Sequence, residues 1–270
     1  MEGKIRCMDE RTENRLAAAD RLWLFLDYDG TLADFAETPE QVEVQIEVVQ
    51  LLTRLVQLPS VRVSIVSGRG LDQIRRLVPV PGILLAGTYG IEFRSFEGED
   101  VQRMDLASIR PILETLKPKL LKLVAGKQGF YLEDKGWSLA LHARFASEEA
   151  SQQILQAAEQ ILRQENVTED LVILGGHKFL EICPGAGNKG ATVKFLLSEY
   201  PWPGALLVYL GDDDKDEQAF EVIKEHGGIC IRVGPGGGEI QADCQLEDPG
   251  DTRRWLDTLI LRRENERINK

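Results

Sequence analysis

Five apolar residues, Leu22-Trp23-Leu24-Phe25-Leu26, run straight into Asp27. A second carboxylate, Asp29, follows two positions on, then Gly30 and Thr31. Residues i and i+2 of an extended chain point the same way, so Asp27 and Asp29 face one site. Two carboxylates side by side repel unless a cation sits with them. A hard divalent ion such as Mg2+, bound through oxygen, meets that need. Asp27 also has the chemistry of a nucleophile that forms an acyl-phosphate. Asp29 would then protonate the leaving oxygen and later take a proton from water. The plainer alternative is an ordinary strand-to-turn exit, where Asp, Gly and Thr are common.

A second run of strand length, Ala205–Leu210, ends in Gly211-Asp212-Asp213-Asp214-Lys215-Asp216-Glu217. Five acids in six positions after a buried strand call for a counter-ion. Asp212 is best placed to reach a metal held by Asp27. Asp216, at a helix start, can orient ligands from behind. Asp214 and Glu217 read more simply as acids complementing a helix N-terminus. Val63–Val66 runs into Ser67-Gly68-Arg69, where a hydroxyl and a backbone N–H can both meet an oxyanion; alone, Ser67 reads equally as a helix cap. Lys189 opens a clean helix at the end that disfavours a cation, which suggests an anion to neutralise. A solvated Lys in a Gly-rich turn is the alternative. Metal-bound phosphate, carboxylate nucleophile, hydroxyl donor and Lys cation are together the requirements of phosphoryl transfer.

To work as one site, these residues must be brought to one sheet edge. Leu22–Asp27, Val61–Val66, Ile83–Ala86, Ala205–Leu210 and Ile229–Val233 are near-continuous Leu/Val/Ile runs, as expected of parallel strands buried on both faces. Helix-like stretches lie between them at Glu40–Gln57, Leu71–Leu77, Lys189–Glu199 and Asp216–Glu225. The alternation predicts an open, doubly wound, mostly parallel α/β sheet, in which ligands bind beyond the carboxyl ends of the strands. From about residue 106 to 182 the rhythm changes. Helix Leu106–Leu123, strands Phe130–Glu133 and Ser138–Ala143, helix Ser147–Gln164, then strands Leu171–Leu174 and Lys178–Ile182 read as a small α+β module with two hairpins. Their turns are Asp134-Lys135-Gly136 and Gly175-Gly176. The expected division is 1–105 and 183–270 as the core, with 106–182 inserted.

The 270 residues carry 32 Lys+Arg against 44 Asp+Glu, a net charge of −12. An acidic chain with no basic block lacks the footprint of a nucleic-acid or anionic-membrane binder. No apolar run approaches the ~20 residues a bilayer requires, and Met1–Arg15 carries no apolar signal-peptide core. Cys7, Cys183, Cys230 and Cys244 form no CxxC pair and read as free thiols of a reducing cytoplasm. Three His argue against a His-rich zinc site. Gly234–Gly238 lacks the setting of a nucleotide loop and reads as a surface turn. The basic tail from Arg262 reads as a solvated helix end, and the four Trp as packing residues. On pattern alone, Glu133 and Lys135 form a surface salt-bridge face and His142 is structural.

The motifs resemble those of the haloacid dehalogenase superfamily of phosphohydrolases: Asp27-Tyr28-Asp29-Gly30-Thr31, then Ser67, then Lys189, then Gly211-Asp212-Asp213-(x)2-Asp216. The likeness sharpens to the trehalose-6-phosphate phosphatases through Phe25–Leu32, Val66-Ser67-Gly68-Arg69 and Asp216-Glu217-(x)2-Phe220. It implies a Rossmann-like core whose inserted cap closes over it, and Mg2+-dependent hydrolysis of a sugar phosphate, trehalose 6-phosphate before others. The protein is expected to be a cytoplasmic monomer. Asp27 would attack phosphorus, and Asp29 would act as acid and then base. Asp27, Asp212 and the backbone carbonyl of Asp29 would hold the metal, with Asp213 and Asp216 behind. Ser67, Gly68 and Lys189 would bind phosphate. In the cap, Glu133 and Lys135, Glu181 near its end, and Arg144 of His142-x-Arg144 would grip sugar hydroxyls. One departure is Tyr89 in Gly87-Thr88-Tyr89-Gly90, where family members often carry His. It keeps open another glycosyl phosphate, such as a glucosyl- or mannosyl-3-phosphoglycerate. A phospho-aspartate receiver, of another class, would share the Asp, Lys and Mg2+ of the core but use neither Asp29 nor the insert.

Overall fold

The computed structural model describes residues 8–34, 43–165, 171–176, 178–235 and 240–268. The chain divides into two compact units, 1–101 with 188–270, and 102–187.

The first unit is built on the strand runs. In order come α1 (Glu10–Ala18), β1 (Arg21–Leu26), α2 (Ile46–Val56), β2 (Val61–Val66), α3 (Leu71–Leu77), β3 (Leu84–Gly87), β4 (Glu92–Arg94) and β5 (Asp100–Gln102). The second unit holds α4 (Leu106–Val124), β6 (Tyr131–Asp134), β7 (Leu139–His142), α5 (Glu148–Gln164), β8 (Leu171–Gly176) and β9 (Phe179–Pro184). The chain then returns through α6 (Lys189–Glu199), β10 (Ala205–Gly211), α7 (Glu217–Glu225), β11 (Ile229–Val233), β12 (Cys244–Leu246) and α8 (Pro249–Ile268).

The sheet of the first unit has the order β12-β11-β10-β1-β2-β3-β4-β5. It is parallel from β12 to β3, and β4 turns back antiparallel. Period-two alternation sorts each strand between two cores. Leu22, Leu24 and Leu26 of β1 pack with α2, α3 and α8. Trp23 and Phe25 pack on the other side with α6 and α7. Both faces of β1 are therefore apolar, and the five residues before Asp27 are fully buried. The chain leaves β1 for β2 on one side and returns to β10 on the other. β1 is thus the point where strand order reverses, and its carboxyl end is the crevice in which such sheets bind ligands.

The sheet of the second unit is antiparallel, β6-β7-β9-β8, from two hairpins. Leu139, Leu141, Leu180 and Ile182 face Ile109, Leu113, Leu116 and Leu120 of α4 and Leu162 of α5. Residues one position out of phase lie on the opposite face. There Tyr131, His142 and Phe179 form one cross-strand row, and Glu133, Ala140 and Glu181 the next.

Some expectations shift. The helix expected over Glu40–Gln57 runs Ile46–Val56, and positions 40–42 lie outside the described residues. So do Cys7 and positions 236–238 of the Gly-rich turn. α1, β4, β5 and β12 were not foreseen; β4, β5 and β12 have three residues each, too few to show a period. The tail is a largely solvated helix end, with Arg262, Asn265 and Glu266 exposed, but Arg263 is buried with Nη2 donating to the Leu16 carbonyl at 2.8 Å. Cys183 and Cys230 are buried thiols, whereas Cys244 is disulfide-bonded rather than a thiol. No described helix is long and apolar enough to cross a membrane.

One turn needs glycine. Gly90 has φ +87°, and a Cβ there would lie 2.0 Å from Thr192 Oγ1 on α6. Gly90→Ala is expected to lower stability by about 2–4 kcal/mol through left-handed strain and overpacking, read as a lowered denaturant midpoint at unchanged slope.

Candidate active site

Every core residue singled out in the sequence belongs to the first unit, and strand order explains where each lies. Asp27 follows β1, Ser67 follows β2, Asp212 follows β10, and Lys189 opens α6. β1 pairs directly with both β2 and β10, so the three strand ends are neighbours.

Lys189 is the centre of the cluster. Its buried ammonium lies 2.9 Å from Asp27 Oδ1, 2.6 Å from Asp216 Oδ1 and 3.6 Å from Asp213 Oδ1. Asn188 Oδ1 accepts from the Ala191 N–H at 2.6 Å and starts the helix that carries it. Burial alone would lower the Lys189 pKa, but the three carboxylates hold it well above the ordinary value. Asp216 sits deeper than a residue that merely trims a metal shell. It is fully buried and accepts from Lys189, from Tyr209 Oη at 2.7 Å, and from the N–H groups of Asp212 and Asp213 at 3.1 Å each. It therefore shapes the whole acidic loop. Gly211 makes room for it, since a Cβ there would lie 2.2 Å from the Asp216 carboxyl carbon.

Carboxylate oxygens of Asp27, Asp212 and Asp216 lie within 4.8 Å of one another. Asp212 Oδ1 also accepts from Thr31 Oγ1 at 3.1 Å. Burial raises the Asp27 carboxyl well above its ordinary value despite Lys189. Burial, then Asp216 and Asp213, pushes Asp212 up to about 7. Asp213 moves the other way: despite burial, Lys189 and Lys215 draw it down to about 2. The donor set fits a hard divalent cation. It is all oxygen, partly buried, and short of positive charge. Asp27 and Asp212 are the residues that would hold it.

This has a pH consequence. Asp212 binds its proton more tightly in the fold than in the unfolded chain. Without a cation, that contribution is fully present below the ordinary 3.8 and is lost as pH rises through about 7. The chelated protein is expected to lose melting temperature over that window. Added Mg2+ should raise it more at pH 8 than at pH 5. An equal rise at both, measured by calorimetry, would contradict the assignment.

Asp29 is held in a way the sequence did not reveal. Arg69 grips it with both arms, Nε to Oδ2 and Nη2 to Oδ1, each at 2.6 Å. The Arg69 N–H donates to Ser67 Oγ at 3.1 Å. Arg69 was visible as part of Val66–Arg69, but its partner lies 40 residues away and is set by the pairing of β1 with β2. Tyr89 and Lys215 are also joined, the Lys215 ammonium donating to Tyr89 Oη at 3.0 Å.

In the second unit, Glu133, Lys135 and Glu181 come together; Glu133 and Glu181 share one cross-strand row. Lys135 Nζ is 3.1 Å from Glu181 Oε1, which also accepts from Ser138 Oγ at 2.5 Å. Glu133 Oε2 pairs with His142 Nε2 at 3.1 Å. These are not a surface salt-bridge face: Glu133 is 6% exposed and Glu181 not at all. Burial would lower the Lys135 pKa, yet Glu181 and Glu133 raise it. Arg144 lies past β7 on an exposed turn.

A family model described as trehalose-phosphatase matches residues 25–247. A probable trehalose-phosphate phosphatase of Sinorhizobium fredii is 35% identical over 216 residues, covering 80% of this chain and 79% of that protein. The trehalose-6-phosphate phosphatase of Escherichia coli is 31% identical over 261 residues, covering 96% and 93%. Among solved structures, the C-terminal domain of trehalose-6-phosphate phosphatase of C. albicans superposes with a TM-score of 0.78 at 22% identity, over 92% of this chain and 94% of that one.

Proposed function

The chain belongs to the trehalose-phosphatase family, and from that premise we propose that it hydrolyses trehalose 6-phosphate to trehalose and phosphate through an aspartyl-phosphate on Asp27. The observation that carries the reading is the buried set at the ends of β1 and β10, in which Asp27 Oδ1 lies 2.9 Å from the Lys189 ammonium with Asp212 beside it.

Asp27 attacks phosphorus in line, and the bond to the sugar oxygen breaks. A divalent cation at Asp27 and Asp212, when bound, neutralises charge on the phosphoryl oxygens. Lys189 balances the nucleophile's carboxylate. Ser67, with the N–H of Gly68, offers hydrogen bonds to the phosphoryl oxygens. Asp29 gives its proton to the departing sugar hydroxyl and then takes one from the water that opens the aspartyl-phosphate. In the Arg69 fork both Asp29 oxygens already accept. Each oxygen keeps a second lone pair that can carry the proton, so the acid step needs no release from the fork. In the second unit, Glu133, Lys135 and Glu181 supply charge-assisted hydrogen bonds to sugar hydroxyls.

The test is phosphate release from a panel containing trehalose 6-phosphate and both glycosyl-phosphoglycerates, with and without Mg2+. Mg2+-dependent preference for trehalose 6-phosphate is expected. Preference for another member would retain the chemistry and change the substrate. A receiver would accumulate stable phospho-Asp27 without turnover.

Sugar recognition is separable from chemistry. Glu133→Gln is expected to raise KM for trehalose 6-phosphate about tenfold by weakening a charged hydrogen bond, with turnover of p-nitrophenyl phosphate unchanged. Equal effects on both substrates would remove Glu133 from sugar binding.

A further inference from the structure

Tyr89 lies where the loops after β2 and β10 meet α6. It has φ +53° and stands between Thr88 at +47° and Gly90 at +87°. Consecutive left-handed residues are costly for Thr and Tyr, and specific bonds hold them here. The Tyr89 N–H donates to the Ser67 carbonyl at 2.9 Å, and the Tyr89 carbonyl accepts from Thr192 Oγ1 at 2.5 Å. The turn lays the buried ring against Gly68. A Cβ at Gly68 would lie 2.7 Å from the ring, so any larger residue there would push the ring aside. At the far end of the ring, the hydroxyl accepts from the Lys215 ammonium, which also stands 5.3 Å from the ring centroid.

The charge of the site gives this pair a purpose. Lys189 is already shared by Asp27, Asp213 and Asp216, and Arg69 is committed to Asp29. With a divalent cation bound, three positive charges face the four carboxylates of Asp27, Asp212, Asp213 and Asp216. A phosphate monoester bringing close to two further negative charges needs another cation. Lys215 sits on the acidic loop itself, its backbone N–H donating to Asp213 Oδ1 at 3.0 Å.

On the phosphatase reading above, we propose that Lys215, aimed by the Tyr89 hydroxyl beside Gly68, binds the substrate's phosphoryl oxygens together with Ser67 and Gly68. Lys215 touches substrate; Tyr89 is a positioning residue that acts through it. The ring on Gly68 sets the distance between the loop's backbone and the ammonium, and the hydroxyl sets the direction of the ammonium.

Lys215→Met and Tyr89→Phe test this in the full chain loaded with Mg2+. Tyr89→Phe keeps the ring on Gly68 and removes only the hydroxyl. In Lys215→Met, both KM for trehalose 6-phosphate and the inhibition constant of inorganic phosphate are expected to rise about tenfold, the scale of one charged hydrogen bond, with kcat within about threefold of wild type. Tyr89→Phe should shift both constants the same way at unchanged melting temperature. The double variant should be no weaker than Lys215→Met alone, because hydroxyl and ammonium act as one unit. Unchanged KM and phosphate inhibition in Lys215→Met, in an active enzyme, would overturn the proposal and leave the phosphatase reading standing. Additive losses in the double variant would overturn the positioning role of Tyr89. A wild-type protein that releases no phosphate would overturn both readings together.

Discussion

Asp27→Asn is expected to lower phosphate release by about 10^4-fold or more, the scale seen when a nucleophile is removed, while the protein stays folded. The amide is close in size to the carboxylate but cannot form the acyl-phosphate. Folding survives for an electrostatic reason. Asp27 is buried beside Asp212 and Asp213, and burial already pushes its carboxyl towards the neutral form. A neutral amide removes that repulsion. Lys189 loses its partner at 2.9 Å but keeps Asp216 at 2.6 Å. The chelated variant should therefore melt no lower than the wild type. Acid quenching during turnover should trap phosphorylated protein from the wild type and none from the variant. Near-normal turnover in Asp27→Asn would remove Asp27 from the nucleophile's role.

Lys189→Met is expected to lose both activity and stability. The ammonium is the shared counter-charge of Asp27, Asp213 and Asp216. Removing one partner of a buried ionic group costs about 3–5 kcal/mol, because the remaining charges are left without compensation. In a domain of this size that corresponds to a fall in melting temperature on the order of 10 °C. The loss should depend on pH with a defined sign. Burial raises the Asp27 and Asp216 carboxyls, so acid restores their neutral forms and relieves the variant. The stability gap between variant and wild type should narrow on going from pH 8 to pH 5 in chelator. A gap that widens in acid, followed by chemical denaturation, would contradict the account. Lys189→Arg should not rescue, because a planar guanidinium cannot replace a compact ammonium among three converging carboxylates.

The two variants separate roles that the sequence shows only side by side. The spacing Asp27-x-Asp29 at the end of an apolar strand was legible because strand alternation is a property of the local chain. Asp212 after β10 and Lys189 at the start of α6 were legible for the same reason: each is marked by the element it ends or begins. The two hairpins of the second unit were announced by their turns, Asp134–Gly136 and Gly175-Gly176. By contrast, β4, β5 and β12 are too short for any period to show. α8 buries Trp255, Leu256, Leu259 and Ile260 between charged neighbours that masked its core face.

Local chain properties thus determined the class of fold, the inserted module, and the identities of the carboxylates, the hydroxyl and the ammonium that could carry phosphoryl transfer. The tertiary structure alone decided which groups meet. Asp216 is the fully buried acceptor for Lys189, Tyr209 and the backbone of the acidic loop. Arg69 is clasped on Asp29 across 40 residues. Lys215 is tied to Tyr89 across 126. Glu133 and Lys135, which alternate like a solvated face, are paired instead with His142 and the buried Glu181, and Glu133 is itself buried. Periodicity reports the environment of one segment, whereas partners across the chain follow from strand order and register. Here the placement of β1 between β2 and β10 brings distant loops to one edge, and the burial that follows makes each charge depend on its neighbours.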